Sequence, residues 1–543
     1  MRFKVVPRTA LVSALSLTGL AVSAVQGDQV AVTWMGGIGG WSSASLWSGG
    51  VVPNNSVTTT YNVEIDGGKT GNSVVQMTSA YDAPVFSIDS LTIDAGDELM
   101  VGSLTIQHSL DVNGTLHSAV GGVELTEGLI DGSGVINFTP WQWGLSRIRS
   151  LSSALTIGPA ITVVGGSSTL LGWWPGRSTL GDTTRPLVIN GSIQSGSPYE
   201  QGIILAGSTI TNNGTIEVVN GGIVGINSSF SMATIGRLDY RNGSLLVAGT
   251  LNNQGQHLLV DNAHGGLILH GRLSGGTLST GDGKTLRVGE SYEAVLDNVY
   301  LSAQIVSRGS IAVPAGQQLI GSGDILLQEP EDLWSGGRFY NQSGPTIVSS
   351  GFHIHGGTFE QAIYLGGGVG RQENVTINQG TIRADRGRML AYGYADKKYM
   401  LLNSSTTINA GTLEADDLGQ LLADGNVTFQ SGSRFVLEGR GQLVIKGDLD
   451  LSALNDRLVV LPNIIDDGPY NWYPAITYTG NLTGTFNRVT SGIFVSYGNG
   501  DKTVRIYGYG MEIPEPASAA LLFVCRALGL RRKRRDPSIS PCR

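Results

Sequence analysis

The sequence predicts an all-β protein that folds as a right-handed parallel β-helix with β-strand caps at its ends. Three observations lead to this prediction: the composition, a short recurring phrase, and the near absence of helical periodicity after the first residues. The chain has 543 residues, of which 79 are glycine and only 14% are charged. The glycine content is about twice the usual value and the charge about half of it. Such a composition is typical of many short strands joined by tight turns.

The recurring phrase has glycine in its third position and an aliphatic residue in its fifth. Its copies are Val112–Leu116, Ile189–Ile193, Asn212–Ile216, Val247–Leu251, Ser274–Leu278, Asn378–Ile382 and Asn409–Leu413. Several successive copies start 23 to 35 residues apart, which is typical of a solenoid. We expect the glycine to adopt a positive φ and to avoid a Cβ clash at a corner of each coil. The next residue, usually threonine, then begins a strand, and the aliphatic residue points inward.

The phrase places the predicted solenoid at residues 100–455, with inserted loops expected near Pro314–Pro345, where no copy occurs. Tandem β-sandwiches are the alternative fold. Residues 456–510 are predicted as a C-terminal β cap, because Pro474–Gly508 alternates as strands do and resembles the closing segment of autotransporter-like β-helical passenger proteins.

Residues 28–99 are predicted as an N-terminal β cap that covers the open end of the solenoid. Trp34, Trp41 and Trp47 lie there among glycines and precede Pro53. This arrangement resembles the N-terminal segment of secreted β-helical surface proteins. The alternative interpretation of the three tryptophans is a platform that stacks on sugar rings.

The N-terminal residues 1–27 have the layout of a secretory signal peptide. Arg2, Lys4 and Arg8 precede an apolar run at Ala10–Val22, and small residues follow for cleavage by signal peptidase. The apolar run is shorter than the roughly 20 residues of a membrane span. We therefore expect the protein to be exported.

The charge and the cysteines restrict the body between the two ends. The two ends, residues 1–27 and 517–543, contain ten of the 35 basic residues and one of the 43 acidic residues. The body therefore carries 25 basic and 42 acidic residues, which gives a net charge of −17. Nucleic acid is therefore not expected as a partner. Cys525 and Cys542 are the only cysteines, so the body must be held by packing and not by disulfides.

Residues 511–535 differ from the rest of the chain. Pro514, Glu515 and Pro516 precede a short apolar stretch at Ala517–Leu530, which is predicted as a short hydrophobic helix, and a tail follows at 536–543. Between them lies a basic block that would stop transfer through the membrane, formed by Arg531, Arg532, Lys533, Arg534 and Arg535.

These three parts resemble the PEP-CTERM sorting signal of Gram-negative bacteria. The resemblance implies an exosortase-type processing enzyme as a partner, which is thought to cleave near Pro514–Pro516 and deliver the body outward. It implies a transient or retained inner-membrane anchor and a final location at the cell surface or outside the cell. The chain departs from the usual signal at Arg526, which splits the apolar stretch, and at Asp536–Arg543, which extends past the basic block.

Few residues suggest chemistry. His353 and His355 would share one strand face and offer two metal ligands, but no third ligand of known spacing lies near them, so neither a metal site nor a cofactor is predicted. The pairs Asp416–Asp417 and Asp466–Asp467 lack the pattern of calcium repeats. The candidate residues of a polysaccharide lyase are Asp385, Arg386 and Arg388. The candidate residues for stacking on sugar rings are Trp141, Trp143, Trp173 and Trp174.

Two classes of function follow from these residues. The first is an exported structural or adhesive protein associated with exopolysaccharide or a biofilm matrix. The second is a carbohydrate-active β-helix enzyme, a polysaccharide lyase or hydrolase. An enzyme requires two or more carboxylates and a basic residue in one groove of a coil face; no catalytic residue is assigned from the sequence.

Overall fold

The structure is a computed structural model. It describes residues 28–66, 71–77, 85–138, 146–165, 178–196, 202–289, 292–315, 317–328, 338–342, 346–356, 363–366, 375–384, 398–417, 419–461, 472–498 and 500–507. The predicted signal peptide and the predicted sorting signal lie outside these residues.

The described chain consists of short strands, named β1 to β52 in chain order. The first part contains β1 Asp28–Thr33, β2 Ile38–Gly40, β3 Thr59–Ile65, β4 Val74–Gln76, β5 Phe86–Ile93, β6 Glu98–Val112, β7 Thr115–Leu125, β8 Leu129–Asp131, β9 Val135–Phe138, β10 Ser146–Ser150, β11 Leu155–Ile157, β12 Thr162–Gly165, β13 Ser178–Asp182, β14 Leu187–Ile189, β15 Ser192–Gly196, β16 Gly202–Gly207, β17 Ile210–Asn212, β18 Thr215–Val219 and β19 Ile223–Asn227. Two 3₁₀ turns, Ala44–Leu46 and Ser48–Gly50, lie between β2 and β3.

The middle part contains β20 Ser229–Phe230, β21 Arg237–Asp239, β22 Ser244–Val247, β23 Thr250–Asn252, β24 His257–Val260, β25 Gly266–Leu269, β26 Arg272–Ser274, β27 Thr277–Thr280, β28 Leu286–Val288, β29 Glu293–Asp297, β30 Tyr300–Ser307, β31 Ser310–Val313, β32 Ile320–Leu327, β33 Arg338–Asn341, β34 Thr346–Val348, β35 Phe352–Gly356 and β36 Ile363–Gly366.

The last part contains β37 Val375–Asn378, β38 Thr381–Ala384, β39 Lys398–Asn403, β40 Thr406–Asn409, β41 Thr412–Ala415, β42 Gly419–Ala423, β43 Asn426–Phe429, β44 Arg434–Leu437, β45 Gln442–Ile445, β46 Leu449–Leu451, β47 Arg457–Val460, β48 Tyr473–Tyr478, β49 Leu482–Gly484, β50 Arg488–Val489, β51 Phe494–Gly498 and β52 Thr503–Tyr507.

One parallel ladder runs through the whole described chain. Each of its strands pairs in parallel with the strand of the next coil, in the order β1, β3, β5, β6, β7, β10, β13, β16, β19, β22, β25, β28, β30, β32, β35, β38, β41, β44, β47 and β50. Its nineteen steps of about 4.8 Å give a length of about 90 Å. Parallel pairing of this kind confirms the predicted β-helix, and it excludes tandem β-sandwiches, whose sheets are antiparallel.

Other strands form the remaining faces of the coils. One sheet has thirteen strands, in the order β20, β23, β26, β29, β31, β33, β36, β39, β42, β45, β48, β52 and β51, and another has six, in the order β34, β37, β40, β43, β46 and β49. Apart from isolated antiparallel bridges at Trp34–Trp47 and Asp261–Gly265, two strand pairings in the described residues are antiparallel, β48 with β52 and β51 with β52. They lie within the predicted C-terminal cap, whereas the long ladder already begins with β1 inside the predicted N-terminal cap.

The core is a column of aliphatic side chains stacked coil over coil. Register places Ile305 on Ile325, Ile325 on Ile354, and Ile354 on Ile382. These side chains are almost fully buried, and burying each aliphatic side chain stabilises the fold by roughly 1.5–3 kcal/mol. Alternate residues along each strand face outward, so the outer face can change without disturbing the column.

The recurring phrase occupies the predicted position in every coil that contains it. The residue after its glycine begins a strand in all seven copies, at Thr115, Ser192, Thr215, Thr250, Thr277, Thr381 and Thr412. The aliphatic residue that follows is buried in each case, at Leu116, Ile193, Ile216, Leu251, Leu278, Ile382 and Leu413.

The expected positive φ of the phrase glycine is wrong for six of the seven copies. Only Gly276 has it, at +70°. The other six are required for close approach: a Cβ on Gly411 would lie 2.2 Å from the carbonyl oxygen of Gly380, one coil below. That oxygen accepts a hydrogen bond from the backbone N–H of Thr412, at 2.8 Å. Glycine is needed because the two coils meet through this backbone contact.

Asparagines of two phrase copies point into the core and join successive coils. Asn378 and Asn409 are fully buried. The Nδ2 of Asn378 donates to Oδ1 of Asn409 at 2.8 Å and to the carbonyl of Thr412 at 2.8 Å. Asn409 donates in turn to the carbonyl of Arg434, at 3.2 Å. These bonds satisfy the Nδ2 groups of both amides and the Oδ1 of Asn409, which would otherwise be costly to bury.

The three N-terminal tryptophans are buried and pack on one another. The ring centroids of Trp34 and Trp47, and of Trp41 and Trp47, are 4.9 Å apart in edge-to-face contacts. Each indole N–H donates to a backbone carbonyl, and Trp41 also contacts Phe86 of β5. The alternative interpretation as a sugar-stacking platform is wrong, because no indole face is open to a ligand.

Substitution of a phrase glycine should weaken the fold. We predict that Gly411→Ala lowers the free energy of unfolding by about 1–3 kcal/mol, because a Cβ would displace the Gly380 carbonyl. Guanidinium unfolding followed by circular dichroism measures this change. Gly71→Ala is the matched control, since a Cβ there meets no atom within 4 Å. An equal loss of stability in both variants would contradict the close-approach explanation.

Candidate functional site

Outward-facing polar residues cluster on four successive coils of the long ladder. Register aligns Asp324 of β32 with His353 of β35, His355 with Arg383 of β38, and Arg383 with Glu414 of β41. Because strand residues two apart share a face, His353 and His355 point to the same side, as the sequence predicted. The ladder thus brings together residues that lie up to 90 positions apart in the chain.

Asp324 supplies the partner that the two histidines lacked in the sequence. Its Oδ1 lies 3.1 Å from Nδ1 of His353 and 3.2 Å from Nε2 of His355. The two imidazoles are stacked, with centroids 4.8 Å apart and planes at 12°. The Asp324 side chain is 45% exposed, but Oδ1 itself is enclosed and no hydrogen bond of good geometry reaches it.

The histidines determine the ionisation of this carboxyl. Interaction with His353, and then with His355, holds the pKa of Asp324 well below its usual range, although partial burial acts in the opposite direction. Asp324 is therefore an anion at every physiological pH.

An open groove lies beside Asp324 on the preceding coils. It has a volume of about 440 Å³. Small residues such as Gly281, Ala303 and Gly323 line it, together with the polar residues Thr280, Asp282, Lys284, Ser302, Gln304, Ser322 and Asp324. Hydroxyl, amide and carboxylate groups of this kind can form hydrogen bonds with sugar hydroxyls.

A second cluster surrounds Arg383 at the corner that follows β41. The Arg383 guanidinium forms ion pairs with Asp416 and, at 3.4 Å, with Glu414. Asp416 is buried and also accepts a hydrogen bond from the backbone N–H of Asp417 at 2.8 Å. Asp416 and Glu438 follow strand residues that are paired in register, Ala415 and Leu437, so their carboxyl groups meet.

The environment of these two carboxyls separates their pKa values. Burial, and then the neighbouring Asp416, raises the pKa of Glu438. For Asp416, burial acts upward, but the Asp417 N–H, Glu438 and Arg383 together lower its pKa. Glu438 is thus the member of the pair that holds a proton more readily, and a pair of carboxyls with separated pKa values can act as acid and base.

Most of the site residues proposed from the sequence lie outside the described residues. This holds for the sorting motif Pro514, Glu515 and Pro516 and for the basic block of residues 531–535. It also holds for the sugar-stacking candidates Trp141, Trp143, Trp173 and Trp174, for the lyase candidates Asp385, Arg386 and Arg388, and for Asp466 and Asp467. Those assignments remain predictions. In the described part of the chain, no helix has the length and apolar character of a membrane span.

The sequence did contain a signal for Asp324 and Glu438. Asp324 precedes His353 by 29 residues and Glu438 follows Asp416 by 22, and both separations are close to one coil length. Polar residues one coil apart at outward positions meet in a solenoid, so coil spacing, and not local motif spacing, reveals such clusters.

Comparison of the chain with models of protein families, with curated proteins and with solved structures finds no significant match. The functional argument therefore depends on the chain's own residues.

Acid conditions should remove a stabilising contribution of Asp324. Because its pKa is lower in the folded protein, the unfolded chain binds more protons near pH 4, and stability rises with pH there. We predict that the stability difference between the wild type and Asp324→Asn is larger at pH 5 than at pH 3, because it shrinks as the pH falls below the unfolded value of about 3.9. Denaturant unfolding between pH 3 and 5 measures it, in metal-free buffer. A difference that does not vary with pH would contradict this prediction.

Proposed function

We propose that this protein is an exported structural protein of the cell surface or extracellular matrix, whose β-helix associates with polysaccharide. One observation carries the proposal: the described chain forms a single ladder of stacked coils about 90 Å long, with an aliphatic core inside and the alternate residues of each strand facing outward. Such a rod holds its outer faces in fixed positions without disulfides, which suits a spacer or scaffold.

Export and sorting complete the proposal. Residues 1–27 would direct secretion through signal peptidase, and an exosortase-type enzyme would act near Pro514–Pro516. These assignments come from the sequence resemblance. They are consistent with a body that carries a net charge of −17 and no cysteine.

The polar groove beside Asp324 is the part of the rod that we propose contacts polysaccharide. Gln304 and Lys284 line it and can donate hydrogen bonds to sugar oxygens. Its open shape admits a continuous polymer, whereas a closed pocket would admit only chain ends.

The binding proposal predicts co-sedimentation of the purified protein with insoluble exopolysaccharide from its host. Replacing Lys284 and Gln304 by alanine should weaken binding about 5- to 100-fold, since each lost hydrogen bond contributes about 0.5–1.5 kcal/mol. Lys446→Ala is the control, because Lys446 is an exposed lysine paired with Asp424 on other coils. Unchanged binding in the double variant would exclude this groove, and no binding by the wild type would overturn the proposed association.

The carboxyl pair of Asp416 and Glu438 beside Arg383 favours a second candidate function, a carbohydrate-active enzyme. Two carboxyls with separated pKa values and a guanidinium are the groups that a hydrolase or lyase needs. In this role Glu438, the carboxyl with the raised pKa, would donate the proton.

Incubation with acidic and neutral polysaccharides distinguishes the two candidates. The structural role predicts no new reducing ends and no unsaturated products. Turnover that Glu438→Gln abolishes, and that the exposed control Glu127→Gln leaves intact, would establish the enzyme instead.

A further inference from the structure

The cluster of Asp324, His353 and His355 has the composition of a metal site. It offers two imidazole nitrogens and one carboxylate oxygen, and these three atoms lie within 4.8 Å of one another. All three residues are half-buried on the outer face of the ladder. The three residues belong neither to the aliphatic core nor to the recurring phrase, so the requirements of the fold do not explain why they occur at these positions.

The backbone holds the three side chains in place. Asp324 and His353 are register partners in adjacent strands, and His355 follows His353 on the same face. Between the two histidines, Ile354 is buried in the aliphatic column, which fixes the direction of its neighbours. Sites on regular strands are positioned more accurately than sites on loops.

The distances in the cluster are compatible with metal coordination as well as with hydrogen bonding. Ligands at about 2.0–2.1 Å from a tetrahedral zinc ion are about 3.3–3.4 Å apart. The Oδ1 of Asp324 is 3.1 and 3.2 Å from the two nitrogens, yet this enclosed oxygen has no aligned hydrogen-bond donor.

The surrounding charges favour a cation. Arg383 is the basic residue aligned with His355 on the next coil, but its charge is neutralised by ion pairs with Glu414 and Asp416. Asp282 lines the adjacent groove with Asp324. Lys284 lines the same groove and offsets one of these charges. Four carboxylates, of Asp282, Asp324, Glu414 and Asp416, then face two cations, of Lys284 and Arg383, so a divalent ion here would meet a net negative environment.

We propose that Asp324, His353 and His355 bind a divalent transition-metal ion, with zinc as the ion whose ligand preferences they match. Two imidazoles select against calcium and magnesium, which prefer oxygen ligands alone. Three protein ligands leave a fourth position open. Asp324 also lines the groove, so the proposed metal site adjoins it.

Calorimetric titration with zinc chloride tests the proposal on the full chain carrying Cys525→Ser and Cys542→Ser, which removes the thiol ligands of the tail. We expect one equivalent of zinc to bind with a dissociation constant in the micromolar range, about −8 kcal/mol. Asp324→Asn, His353→Asn and His355→Asn should each weaken binding at least tenfold. Cobalt should give the visible absorption of a four-coordinate site, and the three variants should lose it.

The control is His264→Asn. His264 forms a surface pair with Asp261, its Nδ1 lying 2.7 Å from Oδ1, but the described residues place no second histidine with this pair in a potential metal-binding group. Zinc binding should be unchanged in this variant. Circular dichroism and denaturant midpoints verify that each variant is folded.

If one of the variants does not fold, the proposal is tested on the wild-type chain by a protection experiment. Zinc should then protect His353 and His355, but not His264, from diethylpyrocarbonate, as read by mass spectrometry. The proposal is overturned if zinc at about 100 µM does not bind, if the three variants bind as the wild type does, or if all histidines are modified equally. None of these outcomes depends on polysaccharide binding, so the proposed function is tested separately.

Discussion

The structure depends on one constraint, which is that each coil must stack in register on the coil below. At the corners, a glycine brings backbone to backbone, as where Gly411 meets the carbonyl of Gly380. One residue later a strand begins, and the next side chain joins the buried aliphatic column. A register shift of one residue would turn every aliphatic side chain outward, so the corner and the column specify the same register. The buried amides of Asn378 and Asn409 specify it again.

The same constraint explains how a site can form on a protein of this kind. Inward positions are committed to the core, but outward positions are free, and register places them in straight columns. Asp324, His353, His355, Arg383 and Glu414 come from four coils and still form one polar surface. A functional site in such a protein is therefore formed by outward-facing residues that lie one coil apart in the sequence. The fold alone does not determine which function results.

The fold could be predicted from the sequence because its determinants are local. Glycine, threonine and an aliphatic residue recur together, and the strand start and the burial of Leu413 follow from them. The reason for the glycine was harder, because close approach and positive φ demand the same residue. The third member of the histidine cluster was missed because Asp324 is near His353 only after the coils stack. The tryptophans at 34, 41 and 47 could be assigned to either a cap or a platform until their burial was known.

The central claim is that the coils stack in one continuous, straight ladder, and spin-label distances test it most directly. Register places Arg147, Arg287 and Val436 in one outward column, with six coil steps between each pair of neighbours. Pairs of these positions are changed to cysteine and spin-labelled in a chain whose Cys525 and Cys542 are replaced by serine. Double electron–electron resonance then measures the distances between the labels. The ladder predicts two equal Cα separations of about 29 Å and an end-to-end separation of about 58 Å. Unequal halves, or an end-to-end distance well below their sum, would contradict the ladder.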